Sequence, residues 1–451
     1  MVPVNQKGTY LLQNSTLSAY RRDLYPCFLS ASDALMNLND ALLSDTAAHS
    51  FVELTLSPFF VREWSSAYAA CKDGVLDRDA LRGVRARYAP RPEPGKRVVL
   101  AGDASSIARP ASGTARDRSY VHQSNLPPGC KPVTPGGQFS FVVIVPVDQS
   151  SWVYTLDVER IPSHKTPVTV MSEQLRQVLP QLDGRPLFLG DGGYGNVAFL
   201  LKTQDLACDK RLRLAKNRVL YRAKPARPDH PGPGRPKEDG DAFRCADPTP
   251  HGEPSAHWEG VDAKEKRLDV DRWDDLHFLE ARSIVVSVVR VVRHGAQDTK
   301  RDPKVSWFVF CGEECPPLCA IPQEYARRYR IEQGFRFKKQ DLLWEAVRLR
   351  TPERFAVWTD LVCCAENQLY LARESGLAHR QPWESAFRPV TPQQVRRGMN
   401  RILAELGTPA RVCQVRGNSP GRALGASFEK APRYKVVFKA TDKSEKAVAI
   451  V

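Results

Sequence analysis

Three strand-sized apolar runs in succession, followed by an alternation of helix and strand, constrain this chain most. KRVVLAGD (96–103) is a short apolar run that ends in an acid. GQFSFVVIVPVD (137–148) and SWVYTLDVER (151–160) are adjacent β-rich runs with DQS between them, a hairpin signal. TPVTVMSEQLRQVLPQL reads as a helix, RPLFLGDGGYGN (185–196) as a strand that ends in an acid and glycines, and RLRLAKNRVLYR (211–222) as a further strand. Three strands, then helix, strand, helix and strand, predict an α/β (α+β) domain with a mixed sheet.

The rest of the chain is arranged around that segment. Its 451 residues are too many for one ordinary domain. Residues 1–95 read as helical: SASDALMNLNDALLS carries a Ser/Asp cap and helical apolar spacing, and DRDALRGVRARYAP repeats the pattern. PRPEPGKR then forms a stiff linker. Residues 96–221 hold the first part of the sheet domain. Residues 222–320 read as a β-rich insertion that opens with a Pro/Gly-rich loop. Residues 321–410 carry a basic helix and further helices, and the basic stretch from Arg411 to 451 reads as a flexible tail.

Charge narrows the function. Lysine and arginine number 66 against 51 acids, a net charge of +15, which points to a polyanionic partner and to nucleic acid first. The apolar runs FSFVVIVPV and SIVVSVVRVV are too short to cross a bilayer, and the N-terminus lacks the order of a signal peptide, so a cytoplasmic protein without a membrane partner is expected. Cys311, Cys315 and Cys319 in CGEECPPLC lack zinc-ribbon spacing, and no histidine pair follows.

YARRYRIEQGFRFKK (325–339) sets one acid, Glu332, among six basic residues. On a continuous helix, Tyr325, Arg328, Glu332, Arg336 and Lys339 fall within about 40° of one line. That face fits a solvated helix with salt bridges four residues apart. It also fits an acid that binds metal beside groups that bind phosphate, provided that other carboxylates join it. Asp103 and Asp191 are the candidates, because each closes an apolar strand-like run. Two-metal phosphodiester hydrolysis uses ions about 3.5–4 Å apart. Magnesium accepts a few carboxylates and water.

The order Asp103, Asp191, Glu332 resembles that of the DDE transposases, which have an RNase H-like core. Tyr325, Arg328, Glu332 and Lys339 match that group's Y-(2)-R-(3)-E-(6)-K signature, and DGGY at 191–194 resembles the pattern around its second aspartate. These residues point to the IS4-like superfamily of insertion-sequence transposases, and to its IS701-type branch, whose members carry a β-rich insertion before the glutamate. The resemblance implies that Asp103, Asp191 and Glu332 bind Mg2+, with Mn2+ able to substitute, and that they catalyse cleavage and strand transfer at the element's ends. It implies phosphate contacts from Arg328 and Lys339, with Tyr325 against the DNA end. Arg336 falls on the same basic face. The implied partners are double-stranded DNA, as terminal inverted repeats and target, and a second copy of the chain in the DNA complex. Residues 1–95 are then the candidates for reading the ends. A catalytically idle DNA-binding derivative and another RNase H-like metal nuclease remain as alternatives.

Three further readings stay open on residues alone. Lys216, Arg218 and Arg222 combine a sheet strand with DNA-backbone contacts. Arg235 in GPGRPKEDG is either a minor-groove hook or part of a loop that touches phosphates. Trp273 is either an aromatic that receives a flipped base or a core tryptophan.

Overall fold

The computed structural model describes residues 6–123, 132–146, 150–225, 237–247, 249, 251–262, 265–299, 302–385, 387–414, 424–427 and 430–441. Helices come first, as the spacing predicts: α1 (Gln6–Leu24), then β1 (Phe28–Ser30), α2 (Ser32–Ser44), α3 (Trp64–Asp73), β2 (Val75–Leu76) and α4 (Arg78–Arg87). Asp77 caps α4 by accepting from Ala80 N at 2.9 Å. The expected Ser/Asp cap of α2 is absent. Its N-cap is Ala31, at φ 52°, and the Ser32 hydroxyl instead donates to Phe28 O.

The sheet region follows as β3 (Val99–Ala108), β4 (Ser119–His122), β5 (Val133–Ile144), β6 (Tyr154–Ile161), α5 (Pro167–Val178), β7 (Leu187–Gly190), α6 (Val197–Lys202) and β8 (Asp209–Leu214). The run expected as one strand at 211–222 is two, β8 and β9 (Val219–Arg222), with Lys216 in the turn between them. The insertion contributes β10 (Ala242–Arg244), β11 (Ala256–Val261), β12 (Arg267–Phe278), β13 (Ala281–Arg293) and β14 (Val305–Cys311). Four helices complete the chain: α7 (Ala320–Arg327), α8 (Tyr329–Gln340), α9 (Pro352–Leu371) and α10 (Pro392–Leu406).

These elements form two compact units. One comprises Arg91–Asp103 and Pro167–Ile331. Here β3 runs parallel to β7 and β7 parallel to β8, each step passing through a helix. From β8 the sheet continues antiparallel through β14, β13 and β12. Strand β12 also pairs with β11 and β9, and β9 with β10. Buried Val270, Val289, Val291 and Phe308 form a core on these strands.

The other unit comprises Met1–Pro90, Ala104–Thr166 and Glu332–Val451. In it β5 pairs antiparallel with β4 and β6. Helix α9, buried along most of its length, is the centre of the helical packing. Asn39 of α2 donates to Leu361 O at 2.8 Å, and Arg85 of α4 pairs with Asp360 at 3.0 Å. The Tyr154 hydroxyl of β6 donates to Arg85 O at 2.9 Å. Pro352 and Pro392 at the starts of α9 and α10 suit a position that needs no N–H donor, and Thr351 and Thr391 cap the two helices.

This is the mixed α/β architecture that the residue pattern predicts. Antiparallel ladders β4/β5 and β5/β6 and parallel ladders β3/β7 and β7/β8 make the strand pairing mixed. A β-rich insertion follows these strands, and helical segments flank them.

The flexible tail is corrected in part. Around residues 434–440 the backbone follows β4: Val437 N donates to Arg118 O at 2.8 Å, Val437 bridges Ser119, and Ala440 N donates to Ser163 O at 2.6 Å. The Phe438 ring lies 6.0 Å from Tyr120. An edge strand with open N–H and C=O groups accepts a passing chain in this way.

Candidate active site

Strands β3 and β7 carry the two aspartates. Val99 pairs with Leu187, Leu100 with Phe188 and Ala101 with Leu189. The same register, carried two residues further, sets Asp103 across from Asp191. A glycine precedes each acid, and packing gives the reason. A Cβ on Gly102 would come within 2.5 Å of Phe188 and 2.8 Å of Met171. One on Gly190 would come within 2.7 Å of Leu212. Side chains alternate along a strand, so the glycines meet the packed face and the aspartates the other.

Asp191 stands just past the end of β7, as expected. Asp103 does not close its strand: β3 continues through Ala108, which makes it a mid-strand residue. The polar run ASSIA after Asp103 does not stop β3, because its ladder partners come from elsewhere in the chain. The Asp191 carboxylate accepts from Gly193 N at 2.9 Å, which closes a tight turn. Gly195 passes so near the backbone that a Cβ would lie 2.0 Å from Arg213 O. Tyr194 is buried, with its ring 5.3 Å from Phe199.

Arg328 joins the two acids. Its guanidinium lies 2.7 Å from Asp103 Oδ2 and 4.0 Å from Asp191 Oδ2, and the side chain is 11% exposed. Asp103 is 14% exposed and Asp191 is 41% exposed, so the pair has one sheltered and one open member. Tyr325 donates its hydroxyl to Gly190 O at 3.3 Å, and its ring lies 4.5 Å from Phe308. Burial pushes the phenol up to about 12. Tyr325 thus braces the residue before Asp191 and packs inward, where the resemblance implied a contact with a DNA end.

The single helix expected over 325–339 is two. Arg328 sits between α7 and α8, with Arg328 N donating to Tyr325 O and Ile331 N to Arg328 O, both at 3.0 Å. Three-residue bonds wind more tightly than the α-helix, so the five residues do not share one regular face. The structure brings Asp103, Asp191, Arg328 and Tyr325 together. Glu332 is exposed on α8, and Arg336 is exposed beside it, donating to Gln340 at 2.9 Å. Lys339 turns inward, to Ser106 O at 2.9 Å and Glu345 at 2.5 Å. Among the described residues no three His, Cys, Asp or Glu side chains stand together as a metal cage.

The other candidates are spread out. Lys216 is exposed, Arg218 half-buried, and Arg222 donates to His251 O at 2.6 Å. Arg235 lies outside the described residues. Trp273 is buried, donates to Gly252 O at 3.2 Å and packs against Phe243 and Trp307, so it is a core residue that shows no open ring face. Residue spacing missed the buried pair Lys338–Glu366 at 2.6 Å, which anchors α8 to α9. The only local signal was a lysine among Phe335, Phe337 and Leu342.

Parallel strands that present two aspartates in register, held by an arginine, define a mixed-sheet protein with a paired-carboxylate site. The sequence matches the DDE superfamily endonuclease family over residues 23–276, more than half of the chain, and the protein belongs to that family. The match includes Asp103 and Asp191 and ends before Glu332. A piggyBac transposase, solved by cryo-EM as a synaptic complex with hairpin DNA, is similar in structure at a TM-score of 0.35 and 9% identity, over 94% of this chain and 80% of that one. No curated protein matches the chain. Among the described residues no helix is long and apolar enough to cross a membrane.

Proposed function

We propose that this protein is a DDE transposase of the IS4-like superfamily, IS701-type branch, which binds the terminal repeats of an insertion sequence and cuts and transfers DNA strands there. The observation that carries the reading is the pair Asp103 and Asp191, brought together at Arg328 at 2.7 and 4.0 Å. Two carboxylates brought this close repel each other unless a cation lies with them, and a guanidinium fills that need here. The same oxygen donors fit a hard divalent ion such as Mg2+ or Mn2+. When bound, the metal supplies an activated attacking oxygen and stabilises the leaving one. Glu332 is proposed as the third acid on the YREK spacing.

Arg328, Arg336, Lys216, Arg218, Arg222 and Lys339 are proposed to hold DNA phosphates, although Arg222 donates to His251 O and Lys339 to Ser106 O in the structure. The net charge of +15 supports a polyanionic substrate. Two element ends must be joined, so a homodimer on DNA is part of the proposal.

The test is cleavage of a labelled duplex carrying the element's terminal sequence, with Mg2+ or Mn2+, by wild type and by Asp103→Asn, Asp191→Asn and Glu332→Gln. Cutting by wild type alone is the expected result, with DNA binding retained in all three variants. Binding without cutting by wild type in either metal would favour an idle DNA-binding derivative. Cutting that survives Glu332→Gln would mean that another residue is the third acid.

A further inference from the structure

A half-open cleft of about 50 Å³ lies beside the end of β3, within the unit that holds α9 and α10. Its apolar floor includes Phe139 and Phe355, and its wall includes Arg109, Arg118 and Arg160, with Gly137 of β5 at the edge. The charges are not balanced. Arg160 is matched by Asp117, whose carboxyl burial pushes up but whose hydrogen bonds from Ser163 and Arg160 hold low, so it stays ionised. Arg116, also in the wall, pairs with Glu353 at 2.9 Å.

Among the described residues the hydrogen bonds of Arg109 and Arg118 all go to carbonyls, and the Glu345 carboxylate acts on Arg109 only through space. Arg109 donates to Ala108, Glu345 and Val347 oxygens at 2.8–3.0 Å and stacks over Phe355 at 4.6 Å. Arg118 donates to the oxygens of Arg109, Pro110 and Tyr434 at 3.0–3.2 Å. It is only 8% exposed, and its Nε has no partner. A buried N–H left over is costly unless a ligand or water meets it. Carbonyls satisfy donors but cancel no charge, so Arg118 keeps its positive charge at the cleft, with Arg109 beside it partly offset by Glu345.

We propose that this cleft is an anion site that takes a phosphate group. Guanidinium forks match phosphate oxygens, and a phosphate can take N–H bonds from two guanidiniums at once. The phosphate could come from a nucleic-acid backbone or from a free or terminal phosphate. The site asks nothing of the Asp103–Asp191 pair, so its failure and that of the cleavage reading are separable.

Gly137 supplies the variant. A Cβ there has nothing within 4 Å, so Gly137→Asp adds a carboxylate at the cleft without a clash. Isothermal titration of the full chain would use inorganic phosphate, and single-stranded oligonucleotides of one length with and without a 5′-phosphate, at fixed ionic strength. Saturable phosphate binding that weakens about tenfold or more in Gly137→Asp, and is unchanged in Asp103→Asn, is expected. Arg118→Gln should show the same loss, with the melting temperature recorded for each variant. Equal loss for both oligonucleotides would assign the site to backbone phosphate, and loss confined to the 5′-phosphorylated one would assign it to terminal phosphate. Phosphate affinity that is absent, or equal in wild type and Gly137→Asp, would overturn the proposal.

Discussion

Asp103 and Asp191 each lie two residues beyond the last paired positions of a parallel ladder, Ala101 and Leu189, and the Arg328 guanidinium, 2.7 Å from the first and 4.0 Å from the second, ties them. The resemblance implied that Arg328 holds DNA phosphate. In the structure its first partner is the acid pair, and the two roles compete for one side chain.

Replacing Arg328 by Gln leaves two facing carboxylates without their cation. Hydrogen bonds to charged groups contribute about 1.5–3 kcal/mol, so the variant should melt earlier in metal-free buffer. Added Mg2+ should raise its melting temperature more than that of wild type. An equal response in the two proteins would show that arginine and metal do not compete.

Tyr325→Phe keeps the ring on Phe308 and removes the bond to Gly190 O. We expect a loss of about 0.5–1.5 kcal/mol in urea unfolding. The phenol's ordinary value is 10.0, and burial raises it to about 12. A raised folded value means that this contribution is fully present below pH 10.0 and is lost as pH rises through about 12. Alkaline unfolding should therefore be shallower in the phenylalanine variant.

Two glycine-to-alanine changes should differ in sign. Gly102→Ala drives a methyl into Phe188 at 2.5 Å beside Asp103, and overpacking of this kind costs about 1–3 kcal/mol. Gly83 lies inside α4 with nothing within 4 Å of a Cβ, so Gly83→Ala should stabilise by about 0.4–1 kcal/mol. Melting temperatures of the two variants, run together, check both.

Lys338 and Glu366 are 1% and 2% exposed, and Thr155 donates to the same carboxylate at 2.8 Å. Glu366→Ala strands the lysine and should cost about 3–5 kcal/mol. Adding Lys338→Met should recover most of that loss. A double variant as unstable as the single one would show that packing, not charge, sets the cost.

His251 stacks on Phe243 at 4.2 Å and touches Trp273 and Trp307. Burial holds its imidazole below the ordinary 6.5. A histidine kept neutral by folding contributes stability above its unfolded value and loses it as pH falls from 6.5 toward the lower folded value. Tryptophan fluorescence should report loosening of this cluster in that window, and His251→Phe should abolish the dependence.

The mixture of strands and helices was legible in the sequence because each element is a local signal. Apolar period and length mark a strand whatever it pairs with, and an acid after LFLG is visible without knowing its neighbour. The end of β3 was misplaced because ASSIA becomes strand only through ladder partners far away in the chain. The tail around Val437 was misread for the same reason, since its order comes from the edge of β4.

Partner choice was the part that only tertiary structure decided. Helical spacing put Arg328 beside Glu332, whereas the fold gave it to Asp103. A basic face suggested an outward Lys339, whereas Ser106 O and Glu345 draw it in. Trp273 carried no local mark to separate a reading aromatic from a core one, and Phe243, His251 and Trp307 closed around it. Composition and period settle which residues a chain can bury, since they depend on near neighbours. Ion pairs, register and the cleft at Arg118 depend on residues hundreds of positions apart, and those meet only when the chain has folded.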